Sequence, residues 1–197
     1  MIAGLILAAG ESRRMGQDKA LLTYHGRSFL ETIINNLGAA GIENVTVVLG
    51  HHAETIQRAV GLAAVRVVVN HAFQRGQTSS LQLGLVAAAA DTPEAVILCL
   101  VDHPAISAGV IGKLREHFES THRTVLIPTY EGQRGHPIVI SQALFPELLT
   151  LAPEEAANTI IRKYRDATQF VEVADPGILL DVDDPAAYER LVADSTQ

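Results

Sequence analysis

Seven short β-branched and leucine-rich runs, at residues 2–7, 45–49, 65–69, 96–101, 124–127, 137–140 and 170–173, alternate with longer amphipathic stretches. The runs are almost continuously apolar. Strands read that way when both faces of their sheet are covered. The stretches between them, at 28–40, 53–60, 79–90, 107–120, 141–149, 154–164 and 185–193, carry helical periodicity. This alternation predicts an α/β fold on a mainly parallel sheet. Local punctuation agrees with it. Ser107 stands where an N-cap is wanted, Gly41 where a helix stops, and Pro185 at a first helical position after Asp184. No linker, repeat or low-complexity stretch divides the 197 residues, so one domain over 1–197 is expected.

The first run leads directly into Leu7-Ala8-Ala9-Gly10-Glu11-Ser12-Arg13-Arg14-Met15-Gly16-Gln17-Asp18-Lys19. Glycines let a backbone approach phosphate oxygens, backbone N–H groups form a concave anion site, and cationic side chains offset the charge. The spacing excludes two common glycine loops. Five residues separate Gly10 from Gly16 and Lys19 lies three beyond it, which is not a Walker A loop. No second glycine follows Gly10 in time for a dinucleotide fingerprint. The plain alternative is a β–α turn that displays exposed arginines.

Four further groups stand out. Asp102, in Val101-Asp102-His103-Pro104, ends the most apolar run. There a carboxylate can hold Mg²⁺ against phosphate oxygens or simply cap the following turn. In Asp181-Val182-Asp183-Asp184-Pro185, alternate carboxylates share a side of an extended chain and repel unless a cation intervenes. The same cluster suits a helix N-terminus. Gly76-Gln77-Thr78-Ser79-Ser80 precedes a helix and can bind phosphate or cap. Arg134-Gly135-His136-Pro137 carries a glycine that implies close approach or unusual φ, and a histidine that is either substrate-facing or structural. His51, His52, His71, His117 and His122 show no metal-ligand spacing with cysteine or carboxylate, and are expected to be surface or core residues. Cys99, the only cysteine, lies in an apolar run and is expected to be a buried, reduced thiol.

Acidic residues exceed basic ones by 22 to 15, for a net charge of −7. That disfavours nonspecific nucleic-acid binding, so an anionic substrate needs a locally basic pocket. The apolar N-terminus has no basic region before it and no run is long enough to span a bilayer, so a cytoplasmic protein without membrane or nucleic-acid partners is expected.

The loop resembles the signature of the MobA-like nucleotidyltransferases, LAAGxSxRMGxxK, and matches it at every specified position. The resemblance implies a Rossmann-like three-layer α/β/α sandwich of the nucleotide-diphospho-sugar transferase type, mostly parallel, with an antiparallel strand near 137–140. It implies transfer of a nucleotidyl group to a phosphorylated acceptor with release of pyrophosphate. Leu7, Ala8, Ala9, Gly10, Ser12, Arg13 and Gly16 would then bind the nucleotide, while Arg14 and Lys19 hold the triphosphate. The family's D-x-P element makes Asp102 catalytic and a metal ligand, although His103 replaces its usual apolar residue in what would be the substrate pocket. The D-x-D-T-P element, with Asp184 in place of threonine, offers Asp183 as second ligand for Mg²⁺ (or Mn²⁺) and places Asp181 near the substrate. G-x-x-S-S adds Thr78, Ser79, Ser80 and the preceding Asn70 to the nucleotide site. R-G-H-P assigns Arg134, Gly135, His136 and Pro137 to the acceptor. Arg162 joins them through a weaker likeness to a G-x-R pattern.

Ala9 stands where the guanylyl branch usually carries the first glycine of L-A-G-G. The resemblance therefore leans toward the cytidylyl branch, with CTP and molybdopterin or molybdenum cofactor as substrates and a molybdoenzyme or its chaperone as recipient. The competing readings are a guanylyltransferase of the same cofactor, a sugar-phosphate nucleotidyltransferase, an NAD(P) or flavin oxidoreductase, and a silent nucleotide-binding regulator.

Overall fold

The structure, a computed structural model, describes residues 1–152 and 154–194. In chain order the elements are β1 (Ile2–Ala8), β2 (Thr23–Tyr24), β3 (Arg27–Ser28), α1 (Phe29–Ala39), β4 (Val45–Leu49), α2 (Ala53–Ala59), β5 (Arg66–Val69), α3 (Gln77–Ala88), β6 (Ala95–Leu100), α4 (Ala108–Thr121), β7 (Val125–Tyr130), β8 (Gln133–Arg134), β9 (Ile138–Ser141), α5 (Phe145–Leu149), α6 (Asn158–Lys163), β10 (Thr168–Glu172) and α7 (Pro185–Asp194). The main sheet has the order β10-β7-β9-β6-β1-β4-β5, with β8 paired to β7. β1 runs parallel to β4 and β6, and β10 parallel to β7. β9 runs antiparallel to both β6 and β7. The antiparallel strand thus falls in the stretch where it was expected.

Side chains of β1 alternate between two cores, as the two-residue period of a strand requires. Ile2, Ile6 and Ala8 join a cluster with Leu30, Ile33 and Leu37 of α1, Ile56 of α2 and Leu114 of α4. Ala3, Leu5 and Leu7 join Leu81 and Leu85 of α3, Leu148 of α5 and Ile160 of α6 on the other face. This is a three-layer α/β/α sandwich. Cys99 is fully buried in β6, and burial pushes its thiol up to about 12. A third cluster joins Met15 of the loop to Leu22, Phe29, Val182 and Leu191, which anchors the loop to the C-terminal segment.

The Ser107 hydroxyl accepts from Val110 N–H at 3.3 Å, and Asp184 caps α7 by accepting from Ala187 N–H at 2.8 Å. Gly41 takes φ +78 after α1, where Ile42 N–H returns to the Leu37 carbonyl at 3.0 Å. Three predicted boundaries are corrected. α3 begins at Gln77 rather than 79, so Ser79 lies inside the helix and its hydroxyl donates to the Gly76 carbonyl at 2.7 Å. The predicted helix 154–164 shrinks to α6, because the Thr78 hydroxyl takes the Glu155 carbonyl and the Glu155 carboxylate turns back to Ala152 N–H. The predicted helix 141–149 starts as a short 3-10 turn, with Ser141 closing β9. Among the described residues, no helix is long and apolar enough to cross a membrane.

Candidate active site

The chain leaves β1 toward β4 on one side, and β6 lies on the other. A cleft opens at the carboxyl ends of these strands, where open α/β sheets bind ligands. The loop after β1 forms one wall. Ser12 sits at φ +50 and its carbonyl accepts from Met15 and Gly16 N–H, while its hydroxyl accepts from Lys19 N–H at 3.2 Å. This tight turn carries the Lys19 side chain into the cleft. Asp102 comes from just beyond β6. Asp183 arrives from the far end of the sequence, because Val182 is buried and its N–H donates to the Asp102 carbonyl at 2.9 Å.

The Lys19 ammonium bridges the two carboxylates, 3.2 Å from Asp102 Oδ2 and 2.7 Å from Asp183 Oδ1. Arg14 donates to Asp183 Oδ2 at 2.7 Å. The hydrogen bond from Lys19, reinforced by Arg14, holds the Asp183 carboxyl below the usual carboxylate range. Asp102 Oδ1 is buried and lacks a partner. Two converging carboxylates, one with an orphaned oxygen, fit a hard divalent cation that takes its remaining ligands from water and phosphate. Lys19 stands at the point between them.

Two adjoining cavities fill the cleft. One, of about 540 Å³, is lined by Leu7, Ala9, Gly10, Ser12, Arg13, Arg14, Lys19, Ser80, Asp102 and Asp183. The other, of about 890 Å³, shares Leu7, Gly76, Gln77 and Leu100 with the first. It adds Thr78, Gly135, His136 and the four arginines Arg75, Arg134, Arg162 and Arg165. Glu11, Asp102 and Asp183 match Arg13, Arg14 and Lys19 in the smaller cavity, whereas in the larger one the four arginines face only Glu154 and Glu155, so the basic excess of the cleft lies there.

Other residues singled out in the sequence lie elsewhere. Asn70 is buried, and its amide donates to the Ser79 and Ser80 hydroxyls at 2.9 Å each and accepts from Ala72 N–H. Its geometry organises the segment before α3 instead of reaching into the cleft. Ala8, Gly16, Ser79, Pro137 and Asp181 line neither cavity, and Asp181 is exposed. His103 is buried under the cleft with its ring 4.9 Å from that of His136. Burial lowers its pKa. His51 and His52, expected to be surface or core residues without metal-ligand spacing, are brought beside Asp18.

Sequence reasoning missed Gly50 and Phe73. A Cβ on Gly50 would lie 2.6 Å from the Ala9 carbonyl oxygen and 2.9 Å from the Cβ of Phe73. A glycine directly after a parallel strand was the available signal. Gly50→Ala must push the nucleotide loop outward, and it is expected to slow turnover on the order of 10- to 100-fold. Steady-state kinetics beside a thermal melt check this. Gly135 is a close approach of the same kind, because a Cβ there would lie 2.3 Å from the Ile178 carbonyl.

His136 makes acid stability testable. Burial, and then the neighbouring His103, bring its pKa from 6.5 to about 4. Between those values the unfolded chain binds a proton that the folded chain refuses. Stability therefore falls as pH drops from 6.5 toward 4, by on the order of 3 kcal/mol, and levels off below. His136→Gln is expected to flatten that part of the Tm–pH profile. The Asp183 contribution, from a depressed carboxyl, is lost only at still lower pH.

Residues 4–168 match the model of the MobA-like NTP transferase domain. The chain belongs to this family. MobA-like proteins are nucleotidyltransferases, and enzymes of this type use divalent metals. A molybdenum cofactor guanylyltransferase of Xanthomonas euvesicatoria is 36% identical over 79% of this chain and 73% of its own. A nicotine blue oxidoreductase of Paenarthrobacter nicotinovorans is 30% identical over 97% of this chain and 96% of its own. Among solved structures, Rv0371c of Mycobacterium tuberculosis in complex with manganese superposes with a TM-score of 0.78 at 24% identity, covering 98% of this chain and 97% of that one.

Proposed function

We propose that this MobA-like protein transfers CMP from CTP to the terminal phosphate of molybdopterin or molybdenum cofactor, releasing pyrophosphate, with Mg²⁺ as its metal. The convergence of Lys19, Asp102 and Asp183 beside the glycine loop is the observation that carries this reading. Phosphoryl-type transfer needs positioning and charge neutralisation more than covalent chemistry. Arg13, Arg14 and Lys19 supply cations along the smaller cavity for the triphosphate, and Lys19 and Arg14 stabilise the leaving pyrophosphate. A divalent ion held by Asp102 and Asp183 would draw charge from the α-phosphate. The arginines of the larger cavity orient an anionic acceptor, whose phosphate attacks in line. The acceptor phosphate is already ionised near neutral pH, so neutral His136 is not required as a base.

Ala9 supports CTP over GTP. It is buried, lines the smaller cavity, and is backed by Gly50, so its methyl narrows that wall without room to retreat. The guanylyltransferase relative makes GTP the competing nucleotide. Pyrophosphate release with Mg-CTP or Mg-GTP, with and without molybdopterin, is the test. Release with CTP only when molybdopterin is present supports the proposal, whereas release with GTP alone among the two, or with sugar 1-phosphates, overturns it.

A second reading rests on the full-length likeness to a protein named an oxidoreductase. It predicts NAD(P)H consumption that Asp102→Ala leaves unaffected.

A further inference from the structure

We propose that Asp18, His51 and His52 form a second metal site, for a divalent transition ion such as Zn²⁺ or Co²⁺, separate from the Asp102–Asp183 pair. Each residue offers one ligand atom, and all three atoms lie within 4.8 Å of one another. His52 Nδ1 already sits 3.1 and 3.2 Å from the two Asp18 carboxylate oxygens. The two imidazoles lie side by side, with centroids 3.7 Å apart and planes tilted by 36°.

Adjacent residues in an extended chain point to opposite sides. Here His52 takes φ +52 immediately before α2, which turns its ring onto the same side as that of His51. The same left-handed conformation recurs at Ser12, His25, Thr92, His122 and Glu131, so what marks this position is the placement of two imidazoles against one carboxylate. Imidazole nitrogens select zinc, cobalt or nickel over magnesium, which prefers an all-oxygen shell. Three protein ligands leave the remaining position to water.

None of the three residues lines the smaller cavity. They do touch what shapes it. Asp18 immediately precedes Lys19, His51 N–H donates to the Ala9 carbonyl at 3.2 Å, and the His51 ring meets Phe73 edge-on at 5.7 Å. An ion here fastens both ends of the nucleotide loop to the start of α2, so its role is to position the loop.

The test is a Co²⁺ titration of the full-length, chelator-treated protein in millimolar Mg²⁺, followed by visible absorption. A 1:1 ligand-field band that Zn²⁺ abolishes is expected. Asp18→Asn, His51→Gln and His52→Gly should each weaken Co²⁺ binding at least about 100-fold, since even outer-shell partners of a metal cost 10- to 100-fold. His52→Gly keeps the backbone conformation. Asp102→Ala should leave the band intact. Metal-free melts check that each variant folds. Absence of the band in the unaltered protein overturns the proposal whatever the variants do. So does a band that survives all three substitutions, or one lost in Asp102→Ala. None of these outcomes depends on nucleotidyl transfer, which is measured separately as pyrophosphate release.

Discussion

Asp102→Ala is expected to lower metal-dependent pyrophosphate release by at least about 100-fold, as removal of one preorganised charge-stabilising group does elsewhere. Asp102 stands just past β6, fixed from behind by the bond between its carbonyl and Val182 N–H. Its Oδ2 meets Lys19, while its buried Oδ1 has no hydrogen-bond partner and only the His103 ring 4.0 Å away. A buried acceptor without a partner is costly to keep, so its removal should cost little stability. The variant should melt near the parent temperature by circular dichroism while its turnover collapses. Equal loss of both would make Asp102 a structural residue.

Lys19→Met should separate two quantities that usually move together. The Lys19 side chain is only 12% exposed and supplies the cation between Asp102 and Asp183. Without it Asp102 loses its cation and Asp183 keeps only Arg14, so the Asp183 carboxyl moves part of the way back up toward its ordinary value. Without nucleotide, the vacated position between two carboxylates should bind Mn²⁺ more tightly, by about 10-fold if the change in interaction is near 1.4 kcal/mol. Turnover should nevertheless fall on the order of 100-fold or more, because nothing replaces the charge on the departing pyrophosphate. Mn²⁺ titration followed by electron paramagnetic resonance, run beside steady-state kinetics, reads both. Weaker Mn²⁺ binding in the variant would contradict the placement of the cation between these carboxylates.

What was legible in the sequence was mostly local. The path from β1 through the loop to Lys19 could be read from consecutive residues, because strand, turn and cation follow within one short segment. The antiparallel β9 was anticipated from the resemblance alone, since no periodicity marks strand direction. The encounter of Lys19 with Asp183 spans 164 positions, and the buried Val182, the Met15 cluster and the Arg14–Asp183 bond bring them together. Asn70 was placed at the nucleotide by its sequence neighbours and the resemblance, which do not foresee that its amide donates to two hydroxyls of α3. The helix predicted over 154–164 lost its first turns to bonds with Thr78 and Ala152, which no helix propensity foresees. Asp18 and the His51–His52 pair are 33 positions apart, and the left-handed His52 brings both rings to one side.

The most direct test follows the α-phosphate. CTP labelled at that position is incubated with the protein, Mg²⁺ and molybdopterin, and the products are separated. The label should pass to the molybdopterin phosphate in step with pyrophosphate release, and Asp102→Ala should abolish both. Label that stays on free nucleotide while NAD(P)H is oxidised in a parallel sample would contradict nucleotidyl transfer.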